Sequence, residues 1–217
     1  LPSTSDVLPA TRPRSLLSLA PVVPVVVLDD LAHAVPLARA LVAGGLPVIE
    51  LTLRTPVALD ALRAIAAEVP EITVGAGTVL TPAHAEQAVA AGAQFLVSPG
   101  ATPDLLRAMG DSGVPFLPGT ATVSEVMTVL EAGVTEMKFF PAEASGGAAY
   151  LKAIASPVPA ARFCPTGGIT AATAASYLAL PNVGCVGGSW LAPRDLLEAG
   201  DWAGITAIAA EAAALRP

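Results

Sequence analysis

The stretch RFCPTGGITAATAASYLALPNVGCVGGS, residues 162–189, decides the fold. A short apolar run leads into TGG, an Ala/Leu-rich segment of helical length follows, and a second apolar run leads into GGS. Strand-like runs alternating with helical segments are the mark of βαβ units and a parallel sheet. Working outward, the same beat fills the chain. Apolar runs begin near Val22, Pro47, Ile72, Phe95, Pro115, Glu136, Arg162 and Val183, spaced by about 20–26 residues, with a helical stretch after each. Helix punctuation agrees. Thr81-Pro82 and Thr102-Pro103 supply an N-cap with proline at the first helical position, and the AGG, AAG and EAG segments close helices on glycine.

Eight units predict an α/β chain folded as a closed (β/α)8 TIM barrel, one domain over residues 14–217 with an N-terminal helix. A doubly wound open sheet is the runner-up, but no GxGxxG opens a helix. Residues 1–13 read as a loose leader without the continuous apolar core of a signal peptide.

Composition narrows the function classes. Of the 217 residues, 53% are apolar and only 13% charged, which points to a subunit interface and an oligomer. Mean hydropathy is +0.66, yet the longest apolar run, Leu19–Leu28, is broken by two prolines and is far shorter than the ~20 residues of a membrane-spanning helix. A net charge of −7 argues against a nucleic-acid partner. Cys164 and Cys185, in apolar strand-like settings, read as buried thiols of a cytoplasmic protein. His33 and His84 fall on predicted helices, and no His/Asp/Glu cluster has metal-ligand spacing.

In such a barrel the chemistry sits at the C-terminal ends of the strands. Alternation in VIELTLRT turns Ile49, Leu51 and Leu53 toward the helices and Glu50, Thr52 and Arg54 inward. In EMKFF, Met137 and Phe139 face the helices, while Glu136, Lys138 and Phe140 face the interior. Lys138 is one of only two lysines, against nine arginines, and a buried ammonium is costly. Its uses there are a structural ion pair with Glu50 or, with its pKa lowered by desolvation, nucleophilic attack on a ketone to form a Schiff base. The second use needs a proton shuttle, for which Glu50 is the candidate. Arg54 either closes a salt bridge at the rim or grips a carboxylate with its bidentate fork, helped by Thr78. The glycine pairs at the seventh and eighth runs suggest a phosphate held on backbone N–H groups, with Gly168, Gly188 and Ser189 as candidates.

VIELTLRT, VGAGTVL, FLVSPG, KFFPAE, RFCPTGGI and CVGGSWL, in this order, resemble the bacterial 2-keto-3-deoxy-6-phosphogluconate (KDPG) aldolase family, which also acts on 4-hydroxy-2-oxoglutarate (KHG). The resemblance runs from about Arg14 to the C-terminus. It implies a metal-independent class I aldolase without a cofactor, a homotrimer of barrels. The substrate would be the phosphorylated keto-acid of the Entner–Doudoroff pathway, cleaved to pyruvate and glyceraldehyde 3-phosphate. By the same resemblance Lys138 is the Schiff-base lysine and Glu50 the general acid/base. Arg54 and Thr78 clamp the pyruvyl carboxylate, Pro99 and Phe140 wall the pocket, and Thr166 faces the sugar hydroxyls. Gly167, Gly168, Gly187, Gly188 and Ser189 form the phosphate site. Three other readings compete: the galactonate-epimer aldolase, a phosphate-binding isomerase or epimerase, and a non-catalytic scaffold.

Overall fold

The computed structural model describes residues 15–215. The eight apolar runs become nine strand segments: β1 (Val22–Val26), β2 (Val48–Thr52), β3 (Thr73–Gly77), β4 (Phe95–Val97), β5 (Phe116–Leu117), β6 (Gly119–Thr120), β7 (Glu136–Phe139), β8 (Arg162–Pro165) and β9 (Val186–Gly188). The helices between and after them are α1 (Ala34–Ala43), α2 (Ala58–Glu68), α3 (Pro82–Ala90), α4 (Pro103–Asp111), α5 (Val123–Glu131), α6 (Gly147–Ile154), α7 (Ala171–Leu178), α8 (Arg194–Ala199) and α9 (Trp202–Ala213). Among the described residues no helix is long and apolar enough to cross a membrane.

Helix starts follow the sequence signals. Thr81 Oγ1 accepts from the His84 amide at 3.1 Å and Thr102 Oγ1 from the Leu105 amide at 3.3 Å, each with proline opening the first turn. Thr122 and Glu125 form a reciprocal capping box on α5. Among the described residues, the expected N-terminal helix amounts to one 3₁₀ turn, Leu16–Ser18, whose Leu16 and Leu17 are buried. It is pinned by Leu16 N–H donating to Glu136 Oε2 at 3.2 Å. The leader expected over residues 1–13 lies outside the described residues.

The closed eight-stranded barrel is not what forms. All strands pair in parallel, but in two sheets: six strands in the order β5-β4-β3-β2-β1-β9, and three in the order β6-β7-β8. Two local features interrupt the circuit. Pro118, between β5 and β6, has no N–H to give a ladder, so one apolar run is split across both sheets. Between β8 and β9 only two isolated bridges occur, Phe163–Val183 and Thr166–Gly187. There Gly184 donates to Phe163, but Val186 donates to Pro21 beside β1. In a regular strand, amides two residues apart face the same neighbour, so the ladder is broken at Cys185.

Of the predicted faces, Met137, Phe139, Glu50 and Lys138 hold, while Arg54, expected to face inward, is exposed. Ile49, Leu51, Met137 and Phe139 are buried in the apolar core, and the Phe139 ring stacks on Tyr150 of α6 with centroids 5.4 Å apart. Register then sets the interior. Glu50 is level with Val25 and Gly75 in the larger sheet, and Lys138 with Gly119 and Cys164 in the smaller.

Candidate active site

Glu50 and Lys138 come from different sheets and meet across the interior. Lys138 Nζ donates to Glu50 Oε1 at 3.1 Å, with side chains only 5% and 3% exposed. The lysine backbone is fixed from β6: its N–H donates to Pro118 O at 2.9 Å, and its carbonyl accepts from Thr120 Oγ1 at 3.2 Å. Its ammonium end lies 5.3 Å from the Phe140 ring centroid. A buried amine against one carboxylate and one aromatic face is a place where a proton can pass between two groups while water is kept off.

The room for Glu50 comes from β3. A Cβ built on Gly77 overlaps the Glu50 carboxylate, and one on Gly75 overlaps the Phe95 ring. Glycine at 77 lets β3 lie under the carboxylate, and glycine at 75 leaves room for the Phe95 ring. Gly77 is one of the strand-end residues that the sequence singles out, without a role, and Gly75 is not; the alternation G-x-G in VGAG is the signal for both.

At the rim, Arg54 Nε donates to Thr78 Oγ1 at 3.0 Å. Arg54 is exposed and enters no ion pair among the described residues. Thr78 has φ of +57°, the left-handed region, and is the one described residue other than glycine found there. A β-branched residue there costs on the order of 1–3 kcal/mol and marks a hydroxyl held in place by its surroundings.

The remaining candidates form a second group. Thr166 is buried, and its Oγ1 fills the space that a Cβ on Gly187 would need. Gly167 and Gly168 take φ of +103° and +81°, which lets the chain turn sharply out of β8. Gly167 packs against the Phe140 ring edge, so this group is continuous with the lysine pocket. Gly168 lies under the Glu143 side chain and Gly188 under the Trp190 ring. Ser189 is exposed and lines a cleft of ≈ 580 Å³ with Asp29, Asp30 and Arg194. Pro99 is one strand removed: its carbonyl packs on Gly119, the residue level with Lys138. Ser98 beside it, like Pro99 and Gly119 a strand-end residue that the sequence singles out, is fully buried and accepts the Gly119 amide at 3.3 Å.

Other titratable groups serve the fold. His33 meets Trp202 edge-on at 5.6 Å, and His84 Nδ1 accepts from the Leu80 amide at 3.4 Å. Cys164 and Cys185 are free and buried. The hydrogen bond that the Cys185 thiol gives to Cys164, then burial, pushes that thiol well above its ordinary range, so it stays protonated. Among the described residues no three His, Cys, Asp or Glu side chains are grouped to hold a metal ion.

Known proteins resemble this chain over most of its length. The model of the family "KDPG and KHG aldolase" matches residues 14–208. The KHG/KDPG aldolase of Escherichia coli K12 is 56% identical over 202 residues, 93% of this chain and 95% of its own length. The 2-dehydro-3-deoxy-phosphogluconate aldolase of Dickeya dadantii is 55% identical over 94% of this chain and 96% of its own. The crystal structure of the Legionella pneumophila KDPG aldolase, with pyruvate captured as a covalent carbinolamine intermediate, superposes with a TM-score of 0.91. It is 47% identical and covers 94% of this chain and 98% of its own. A native KDPGal structure lies further off, at 26% identity over 90% and 93% of the two chains, with a TM-score of 0.80. Nearly full coverage at this identity leaves one assignment: the chain belongs to the KDPG and KHG aldolase family.

Proposed function

We propose that this chain is a class I aldolase cleaving 2-keto-3-deoxy-6-phosphogluconate to pyruvate and glyceraldehyde 3-phosphate, with activity also on 4-hydroxy-2-oxoglutarate. The observation that carries this reading is the buried contact between Lys138 Nζ and Glu50 Oε1 at 3.1 Å.

The chemistry follows from that pair. With its proton passed to Glu50, the Lys138 amine attacks the C2 ketone, and the resulting carbinolamine loses water to give an iminium. The C4 hydroxyl gives its proton to Glu50 and the C3–C4 bond breaks. Its electron pair moves to C3 and is stabilised as an enamine by the iminium nitrogen. Glyceraldehyde 3-phosphate leaves. Protonation of C3 regenerates an iminium, and water releases pyruvate and the free lysine. Each step needs one proton moved over a short distance, which one carboxylate within hydrogen-bonding range can supply.

The other candidates take the roles expected of them. Arg54, held by Thr78, grips the carboxylate at C1, and Phe140 and Pro99 wall the reacting carbons. Thr166 meets the hydroxyls, and the Gly167–Gly168 and Gly187–Gly188–Ser189 loops hold the phosphate. The higher identity to gluconate-epimer aldolases than to the galactonate relative favours the gluconate substrate. A homotrimer is part of the reading, supported by the exposed Val27, Leu31, Leu80 and Met127. So is a cytoplasmic setting, supported by the two free thiols.

The test is product stoichiometry. Equal amounts of pyruvate and glyceraldehyde 3-phosphate from the phosphorylated keto-acid support the aldolase. Rearrangement of a sugar phosphate without pyruvate overturns it in favour of an isomerase.

A further inference from the structure

Neither Glu143 nor Tyr177 takes part in the chemistry above, yet Glu143 lies against the glycine loop and Tyr177 holds Glu143. Ala142 N–H donates to Thr166 O at 2.8 Å and Glu143 N–H to Gly167 O at 3.1 Å, which ties the segment after the lysine strand to the loop after β8. The aliphatic stem of Glu143 lies over Gly168: a Cβ there meets Glu143 Cγ at 2.7 Å and Cβ at 2.8 Å. The carboxylate reaches beyond the loop, where Tyr177 Oη donates to Oε1 at 2.5 Å. Tyr177 belongs to α7, the helix that follows the glycine pair, and is only 1% exposed. Gly147 makes space for the contact, since a Cβ on it would stand 3.2 Å from the phenol oxygen.

This geometry raises a problem that Tyr177 solves. A carboxylate beside a phosphate repels it. Although Glu143 is exposed, so that solvent weakens the repulsion, the two charges would stand well within a Debye length. The loop amides are also donors that a freed carboxylate would take for itself. We propose that Tyr177 and Glu143 are positioning residues for the phosphate subsite. Tyr177 holds the Glu143 carboxylate turned away from Gly168, so that the stem braces the loop while the charge and the competing acceptor are kept from the substrate. This rests on reading the Gly167–Gly168 loop as part of the phosphate locus. Burial, then the hydrogen bond and charge of Glu143, hold the phenol well above its ordinary pKa, so it remains a donor across the working range.

The experiment compares Tyr177→Phe, Glu143→Gln and the double variant. Two readouts are used: steady-state cleavage of the phosphorylated keto-acid, and proton exchange at the methyl of pyruvate, which carries no phosphate. For Tyr177→Phe, KM for the phosphorylated substrate should rise about tenfold, with kcat and pyruvate exchange changed by less than about twofold. Glu143→Gln keeps an acceptor for the phenol and should stay near wild type. The double variant has no charge to misplace and should recover to within about threefold of the wild-type KM. An unchanged KM in Tyr177→Phe overturns the proposal. So does an equal loss in pyruvate exchange, which marks a merely structural role, or a double variant no better than Tyr177→Phe. Ser189→Ala separates the two layers. If it raises KM while Tyr177→Phe does not, the phosphate locus stands and the positioning pair falls; if neither does, the locus itself is misplaced and the inference falls with it.

Discussion

Lys138 of the three-stranded sheet and Glu50 of the six-stranded sheet are in contact at 3.1 Å, although 88 positions separate them in the chain. The contact joins the two sheets through a buried ionisable side chain from each. Exchanging Glu50 for Gln keeps shape and hydrogen bonding but removes the proton carrier. Turnover should fall by about 10²–10⁴. Proton exchange at the pyruvate methyl should fall with it, while circular dichroism stays that of the wild type. Exchange continuing at the wild-type rate rules Glu50 out as the shuttle.

Gly77 makes an indirect prediction. A methyl group there overlaps the Glu50 carboxylate, so Gly77→Ala must push the carboxylate away from the lysine. A displacement of about 1 Å costs on the order of 10²-fold in rate, and overpacking costs about 1–3 kcal/mol of stability. Kinetics and chemical denaturation on one preparation check both.

Thr78 is expected to trade stability for function. Thr78→Gly relieves the left-handed backbone and removes the hydroxyl that holds Arg54. Stability should stay level or rise by up to about 1 kcal/mol, the relief being partly offset by glycine's greater chain entropy. KM for the keto-acid should rise by about tenfold as the guanidinium loses its partner. A variant both less stable and kinetically normal contradicts this account of the strain.

The α5 capping box gives a pH-dependent prediction away from the site. The amide of Ala121, then those of Thr122 and the Thr122 hydroxyl against partial burial, hold the Glu125 carboxyl below its ordinary 4.5. A depressed carboxyl stabilises the fold above its unfolded pKa, and that contribution is lost as pH falls through the folded value. Glu125 is exposed, so solvent screening keeps the effect small. Glu125→Ala should therefore cost about 0.5–1 kcal/mol near neutral pH, with the difference shrinking below the carboxyl's ordinary range. Melting temperatures measured against pH check the sign.

Much of this site was legible because alternation along a strand is a strong rule. It placed Glu50 and Lys138 inward and Met137 and Phe139 toward the helices, and N-cap chemistry marked α3 and α4. What was not legible depends on single backbone groups or distant partners. Eight evenly spaced runs count strands, but they do not say that Pro118 withholds a donor or that the chain changes neighbours at Cys185. The expectation of one closed sheet failed there. Gly77 mattered through the residue it makes room for, and Glu143 with Tyr177 through a hydrogen bond across 34 positions. No local pattern reports the Glu143–Tyr177 contact, whereas Gly77 stands in the G-x-G alternation of VGAG.

The central claim is that Lys138 forms a covalent bond with the substrate carbon. Incubation with pyruvate and borohydride, followed by peptide mass mapping, tests it directly, because reduction makes the imine permanent. The chain has only two lysines, Lys138 and Lys152, which keeps the result easy to read. The account predicts one reduced pyruvyl adduct, confined to Lys138 and absent in Lys138→Met. No adduct, or an adduct on Lys152, contradicts it.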